Sequence, residues 1–234
     1  MSAIPKDCHM RAVGNSLGVD HDGFDNYSQE MLDHIVFATT DIAATSEWLA
    51  DHTGVVATEG GPHVNKGTRN RLCSFGNTYL EIIGPDPEQG DPGEPRSFGI
   101  DDLTGHRVIT WCARQHNLQT VVAAGAEVGL GYTDPVPMRR VAPDMTLDWH
   151  LSLPTGDTEG GILPFFIDWG ESRHPSETAA PGLSVAEIHG VHPDPERVNS
   201  LLAALGESMK VEPGDAPGLF VELSGPSGSV ILPN

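Results

Sequence analysis

Three stretches of the chain repeat one hydrophobic rhythm: an apolar run of strand length, a polar turn, then an amphipathic stretch of helical period that ends near glycine. They are LDHIVFATTDIAATSEWLADHTG (32–54), HRVITWCARQHNLQTVVAAG (106–125) and LSVAEIHGVHPDPERVNSLLAALG (183–206). Asp41, Asn117 and Asp194 stand at the polar turns, and each predicts a helix start because its side chain can accept the orphan amide hydrogens there. They lie 76 and 77 residues apart, a regularity that marks one unit used three times. Further strands are predicted at 71–75 and 79–83, at 147–153 and 163–169, and at 219–223 and 229–232. Strands alternating with helices also suit a doubly wound parallel sheet. The short turns Gly76-Asn77 and Gly225-Pro226-Ser227-Gly228 instead belong to antiparallel hairpins, which makes the fold class α+β.

Glycine and proline punctuate the chain, and the links GPDPEQGDPGEPRS and HPSETAAPG separate the units. The expected organisation is a flexible leader over 1–30, with structure beginning near Tyr27, then modules over 31–90, 100–170 and 182–234 that together make one domain. No apolar run reaches the roughly 20 residues that cross a bilayer. The leader lacks the apolar stretch of a signal peptide, so a cytoplasmic location is the default expectation.

Charge changes the picture more than hydrophobicity does. Thirty-three acidic residues face 13 basic ones, a net charge of −20. Only Lys6, Lys66 and Lys210 are lysines. Such a surface repels phosphate backbones and anionic membranes, so no nucleic-acid or membrane partner is expected. Solubility accounts for the acidity; adaptation to high salt and an arginine-rich genome remain alternatives. Cys8, Cys73 and Cys112 form neither a paired framework nor a Cys-x-x-Cys site, and the last two read as buried, inert thiols.

The stretch LDHIVFATTDI with its following helix, then GGPHVNKGTRNRLCSFG and TYLEIIGPDP, resembles the glyoxalase-like branch of the vicinal-oxygen-chelate superfamily (the glyoxalase/bleomycin resistance/dioxygenase group). PDMTLDWHLSLP, LPFFIDWG and RHP resemble that branch's second section. The resemblance implies repeated βαβββ modules whose mixed, largely antiparallel sheet curls into a cup. It also implies a divalent metal (Zn, Fe, Mn, Co or Ni) in the cup, with ligands from first and last strands, and it brings a homodimer into consideration.

His34 and Glu81 occupy first-strand and last-strand ligand positions of that pattern. Imidazole plus carboxylate suits those metals. Without the resemblance, a lone strand histidine is more often a hydrogen-bonded structural residue. Glu81 alternates with Tyr79 and Ile83, and an acid on a buried face needs a cation, a metal or a proton. Glu187 precedes its helix cap by the same seven residues as His34, which makes it the third metal candidate and a catalytic one. The alternatives are a solvated strand glutamate, or His106, His150 or Asp168 from the second unit. Val230, Ile231 and Leu232 leave the third unit without a last-strand ligand.

In GGPHVNKGTRN, His63 is the candidate acid or base, with Thr68 and Asn70 as hydrogen-bonding groups for a substrate oxygen. The same residues also suit a turn that caps its own backbone. Phe165, Phe166 and Trp169 offer an apolar pocket wall or core, and Phe166 and Trp169 are taken as substrate-binding. Asp168 and His174 are weaker candidates, and His189, His192, Arg139 and Arg140 read as surface residues. The chain lacks a phosphate loop, a Gly-x-Ser-x-Gly elbow and a His-Glu-x-x-His motif. The expected function is therefore a metal-dependent lyase or isomerase acting on a small oxygenated substrate. The alternatives are an Fe(II) dioxygenase of the same fold and a metal-free protein that sequesters a small molecule.

Overall fold

The computed structural model describes residues 32–142 and 145–234; the expected leader lies outside them. The first unit runs β1 (Leu32–Thr39), α1 (Ile42–Thr53), β2 (Thr58–His63), β3 (Thr68–Ser74) and β4 (Tyr79–Pro85). After a 3-10 turn at Ser97–Asp102, the second runs β5 (His106–Arg114), α2 (Leu118–Glu127), β6 (Val136–Ala142), β7 (Met145–Ser152) and β8 (Phe165–Asp168). The third has β9 (Ser184–His192), α3 (Pro195–Ala204), β10 (Val211–Pro213), β11 (Gly218–Gly225) and β12 (Gly228–Ile231).

Each helix begins where the sequence says it should. Asp41 accepts from the Ala44 amide, Asn117 from Gln119 and Asp194 from Arg197. Gly54 ends α1 at φ 78°, the left-handed conformation that glycine adopts without steric cost. The Gly76 and Gly225–Gly228 turns close antiparallel hairpins between β3 and β4 and between β11 and β12.

The first two units share a βαβββ order and close into one barrel, β1-β4-β3-β2-β6-β7-β8-β5. The first strands β1 and β5 pair antiparallel, and β2 meets β6 where His63 stands opposite Arg140. Period-two alternation divides each strand between two cores. Ile35, Phe37, Leu80, Ile82, Trp111 and Phe166 pack outward under the helices. Val36, Tyr79, Ile83, Cys112, Trp149, Phe165 and Ile167 point into the barrel. All eight residues of β1 are buried, which explains its apolar run Ile35–Ala38 and requires partners for Asp33, His34 and Thr39.

The third unit opens with the same β-turn-α but builds a separate four-stranded sheet, β10-β9-β11-β12. Its apolar face, including Leu219, Val221, Leu223 and Val230, joins the outer core. The β11–β12 turn abuts the end of α1, where the Ser227 amide donates to the Thr53 carbonyl at 3.0 Å. A side chain at Gly225 would collide with that same carbonyl. Among the described residues, no helix is long and apolar enough to cross a membrane.

Candidate functional site

The barrel interior holds a cavity of about 90 Å³ that opens to solvent. His34 on β1 and Glu81 on β4 reach it because parallel pairing sets these strands side by side, with His34 opposite Tyr79. The His34 ring is clamped. It stacks on Tyr79 at 4.6 Å between centroids and meets Phe165 edge-on at 5.4 Å.

Behind His34 lies Asp33, a fully buried carboxylate. His34 Nδ1 lies 2.7 Å from Asp33 Oδ1. Arg114 Nε, Trp169 Nε1 and His174 Nε2 lie 2.8, 3.0 and 3.1 Å from Oδ2. Burial alone would raise the Asp33 pKa. Hydrogen bonds from His174 and His34, with their electrostatic attraction, outweigh burial and hold it well below the usual carboxylate range. An ionised carboxylate only accepts, so His34 carries its proton on Nδ1, and in the neutral ring the Nε2 lone pair faces Glu81. His174 completes the cluster: the Ser176 amide donates to its Nδ1, and its Nε2 lies 3.1 Å from Asp33 Oδ2 and 2.9 Å from Arg114 Nη2. Asp33, His34 and Cys112 bring potential ligand atoms within 4.8 Å of one another. Asp33 already accepts several bonds, and burial pushes the Cys112 thiol far above its ordinary pKa, so this cluster forms the back wall of the site.

In front of His34, Asn70 is the hub. Its Nδ2 donates to Glu81 Oε1 at 2.6 Å, and its Oδ1 accepts from Arg140 Nη1 at 3.2 Å. These two partners fix the amide's orientation, since the reverse would set oxygen against carboxylate. His63 lies alongside, with Nδ1 3.0 Å from Thr68 Oγ1 and Nε2 3.3 Å from Asn70 Nδ2. Because the amide donates, His63 Nε2 accepts and Nδ1 donates to Thr68. Burial pulls the His63 pKa down to about 4, with Glu81 opposing and Arg140 adding to the shift. His63 is therefore neutral at pH 7, its pKa lying below that of an ordinary histidine.

Glu81 thus sits between two imidazoles: Oε2 is 3.8 Å from His34 Nε2, and Oε1 is 3.7 Å from His63 Nε2. Both distances are too long for hydrogen bonds. The His34–Glu81 gap falls within the span of two metal bonds of about 2.0–2.2 Å each, so the pair fits a divalent ion. The second unit contributes Arg140, the indoles of Trp149 and Trp169 and apolar groups such as Phe165 and Ile167 to the same cavity, whereas the candidate metal-ligating atoms, on His34 and Glu81, belong to the first unit.

Of the residues taken as substrate-binding, Thr68, Asn70 and Trp169 line the cavity. Phe166 does not: it is one residue out of phase, wholly buried in the outer core against Tyr132, and Phe165 takes the interior position. Glu187 is also remote from the cavity. It lies on β9 in the separate sheet, 45% exposed and 3.0 Å from His189 Nδ1. Arg139 is exposed and paired with Asp148, but its neighbour Arg140 is 4% exposed and lines the cavity. His189 and His192 are buried as well. His106 bonds Thr45 outside the barrel, and His150 is exposed opposite Asp168 on the neighbouring strand. The alternation of Val136 and Met138 with Arg140 is the signal that marks Arg140 as inward.

Gly60 makes the hub possible. A Cβ there would stand 2.9 Å from Arg140 Nη1 and closer still to Asn70 Oδ1. Asn70 is pinned at both ends, so Gly60→Ala should cost about 1–3 kcal/mol through overpacking. Urea denaturation measures this; a variant as stable as the parent would refute the packing argument.

The sequence matches the family model described as "Glyoxalase-like domain" over residues 32–206. Among solved structures, a hypothetical protein from Staphylococcus aureus is similar at 17% identity and a TM-score of 0.60, over 86% of this chain and 83% of that one. Methylmalonyl-CoA epimerase from Mycobacterium tuberculosis is similar at 17% identity and a TM-score of 0.44, over 63% of this chain and 93% of that one. Comparison with curated proteins gives no match. The two-module barrel and the family match over most of its length lead to one assignment: the chain belongs to the glyoxalase-like domain family of the vicinal-oxygen-chelate superfamily.

Proposed function

We propose that the barrel cavity is the active site of a glyoxalase-like isomerase or lyase acting on a small oxygenated substrate, with His34 and Glu81 holding a divalent ion. The observation that carries this reading is the pair itself: His34 Nε2 and Glu81 Oε2 lie 3.8 Å apart on adjacent strands, both buried inside the barrel. When bound, such an ion polarises a carbonyl or enediolate oxygen. The chain's own groups do the rest. Asp33 sets the His34 tautomer, as carboxylates behind metal-binding histidines do. Asn70 engages Glu81 Oε1 and leaves Oε2 facing His34. His63 presents Nε2 across a long contact with Asn70, where it can take a substrate proton in that contact's place. Trp149, Phe165 and Trp169 exclude water around the reacting carbon.

The Fe(II) dioxygenase reading gains from one observation. With Glu187 remote, the candidate metal donors around the cavity among the described residues are two histidines and one carboxylate, the set that non-haem iron oxygenases use. His34 and His63 face opposite oxygens of Glu81, which favours the first reading.

Elemental analysis of untagged protein, with His34→Ala and Glu81→Ala alongside, tests both. Near-stoichiometric metal in the parent and at least about a tenfold loss of affinity in each variant is expected, because each removes one of two ligands. Iron as the bound metal would turn the reading toward oxygenation. No metal uptake, even after anaerobic reconstitution, would overturn chelation and leave a small-molecule binding protein or a metal-free acid–base enzyme.

A further inference from the structure

Arg140 is the cavity's unexplained charge. A guanidinium has five N–H donors. Among the described residues, one of them is accepted, by Asn70 Oδ1 at 3.2 Å, and the buried Nε has no hydrogen-bond partner. Asn70 stands between Arg140 and Glu81, and among the described residues no carboxylate pairs directly with the guanidinium. Lys66 also lines the cavity, so a chain of net charge −20 places two of its 13 basic residues there. Burying a cation without a matching anion is costly, and that cost is offset when a ligand supplies the anion. Much of the remaining lining is apolar, with Met138, Leu151, Phe165, Ile167 and Trp169.

We propose that Arg140 anchors a carboxylate of the substrate, and that the site accepts a small carboxylic acid with an apolar, preferably aromatic, body. The planar fork of arginine matches a carboxylate better than a point-like ammonium would. This rests on reading the cavity as the active site, but it does not depend on the metal: Arg140 projects from β6, and His34 and Glu81 stand on β1 and β4.

The test titrates phenylacetate, phenylacetamide and inorganic phosphate into chelator-treated protein and follows tryptophan fluorescence, because Trp149 and Trp169 line the cavity. Phenylacetate has no second oxygen function beside its carboxylate, so the readout is independent of chelation. The acid should bind at least about tenfold more tightly than the amide, with affinity falling as salt is raised. Arg140→Gln should abolish that preference, and Arg140→Lys should retain part of it. Equal binding of acid and amide, no binding of either, tighter binding of phosphate, or an unchanged preference in Arg140→Gln would each overturn the proposal. The acid–amide comparison on the parent needs no variant, so a misfolded Arg140→Gln leaves the test standing. Acid binding in a protein that takes up no metal would sink the metal reading and leave this one intact; metal uptake without acid binding would do the reverse.

Discussion

Asp33→Ala should destabilise the protein by about 3–5 kcal/mol, because it removes a buried charge and leaves its partners inside. The wild-type carboxylate gathers donors from four places: His34 on its own strand, Arg114 at the end of β5, Trp169 just past β8, and His174. It thereby ties β1 to the second module where the barrel closes. Arg114, about one-third exposed, can turn to water. The indole of Trp169 and the imidazole of His34 cannot, being 8% and 3% exposed. Asp33→Asn keeps the shape but turns an amide N–H toward a donor, so a smaller loss of about 1–3 kcal/mol is expected. If the amide nitrogen faces His34, that ring must move its proton to Nε2, and the lone pair aimed at Glu81 disappears. Metal affinity of the Asn variant should then fall about 10–100-fold with the fold retained. Urea titration and metal-binding calorimetry read the two effects separately. An Ala variant as stable as the parent would show that the hub does not hold the barrel closed, and an Asn variant with full metal affinity would remove Asp33 from the site.

The parts of this architecture legible in the sequence are those governed by local rules. Capping chemistry alone located the starts of α1, α2 and α3, since Asp41, Asn117 and Asp194 each act through their own next few amides. Period-two alternation put Tyr79, Glu81 and Ile83 on one face of β4, and that face lines the cavity. Strand β2 was hidden because Gly60, Gly61 and Pro62 read as a loop. In the barrel they form a bulged strand, with Gly61 at φ 127°, and the missing side chain of Gly60 admits Asn70 and Arg140. Glu187 failed for a different reason. Equal spacing from a helix cap fixes a place within a unit, but not which sheet the unit joins. Strand β9 has β10 on one edge and β11 on the other, so neither edge is left to pair with the barrel. Arg140 failed because charge in a sequence suggests water, whereas the alternation of its strand turns it inward.

One buried acid lies outside the site altogether and should govern how stability responds to alkali. Glu207, just beyond α3, is 4% exposed, and among the described residues neither of its carboxylate oxygens has a hydrogen-bond partner. Burial raises its pKa from 4.5 to about 8; the Gln115 side chain opposes the shift without closing a hydrogen bond of normal geometry. The folded protein therefore keeps this proton between pH 4.5 and 8, where the unfolded chain has released it. Fewer protons on the unfolded state mean that stability falls as pH rises through this window. The slope approaches about 1.4 kcal/mol per pH unit and the total is on the order of 4 kcal/mol. Below pH 4.5 both states are protonated and the penalty is absent. Cys112 and Tyr132 feel the same charge, since Glu207 contributes to the upward shift of both. Glu207→Gln cannot ionise, so its stability should draw level with the parent near pH 4.5 and exceed it by a growing margin up to pH 8. Urea denaturation of both proteins at pH 5, 6.5 and 8 isolates this effect, because the repulsion of a −20 surface acts on both nearly alike. A parent–variant difference that stays constant over this range would mean that Glu207 is already ionised in the folded protein, and that its surroundings supply a partner for the charge.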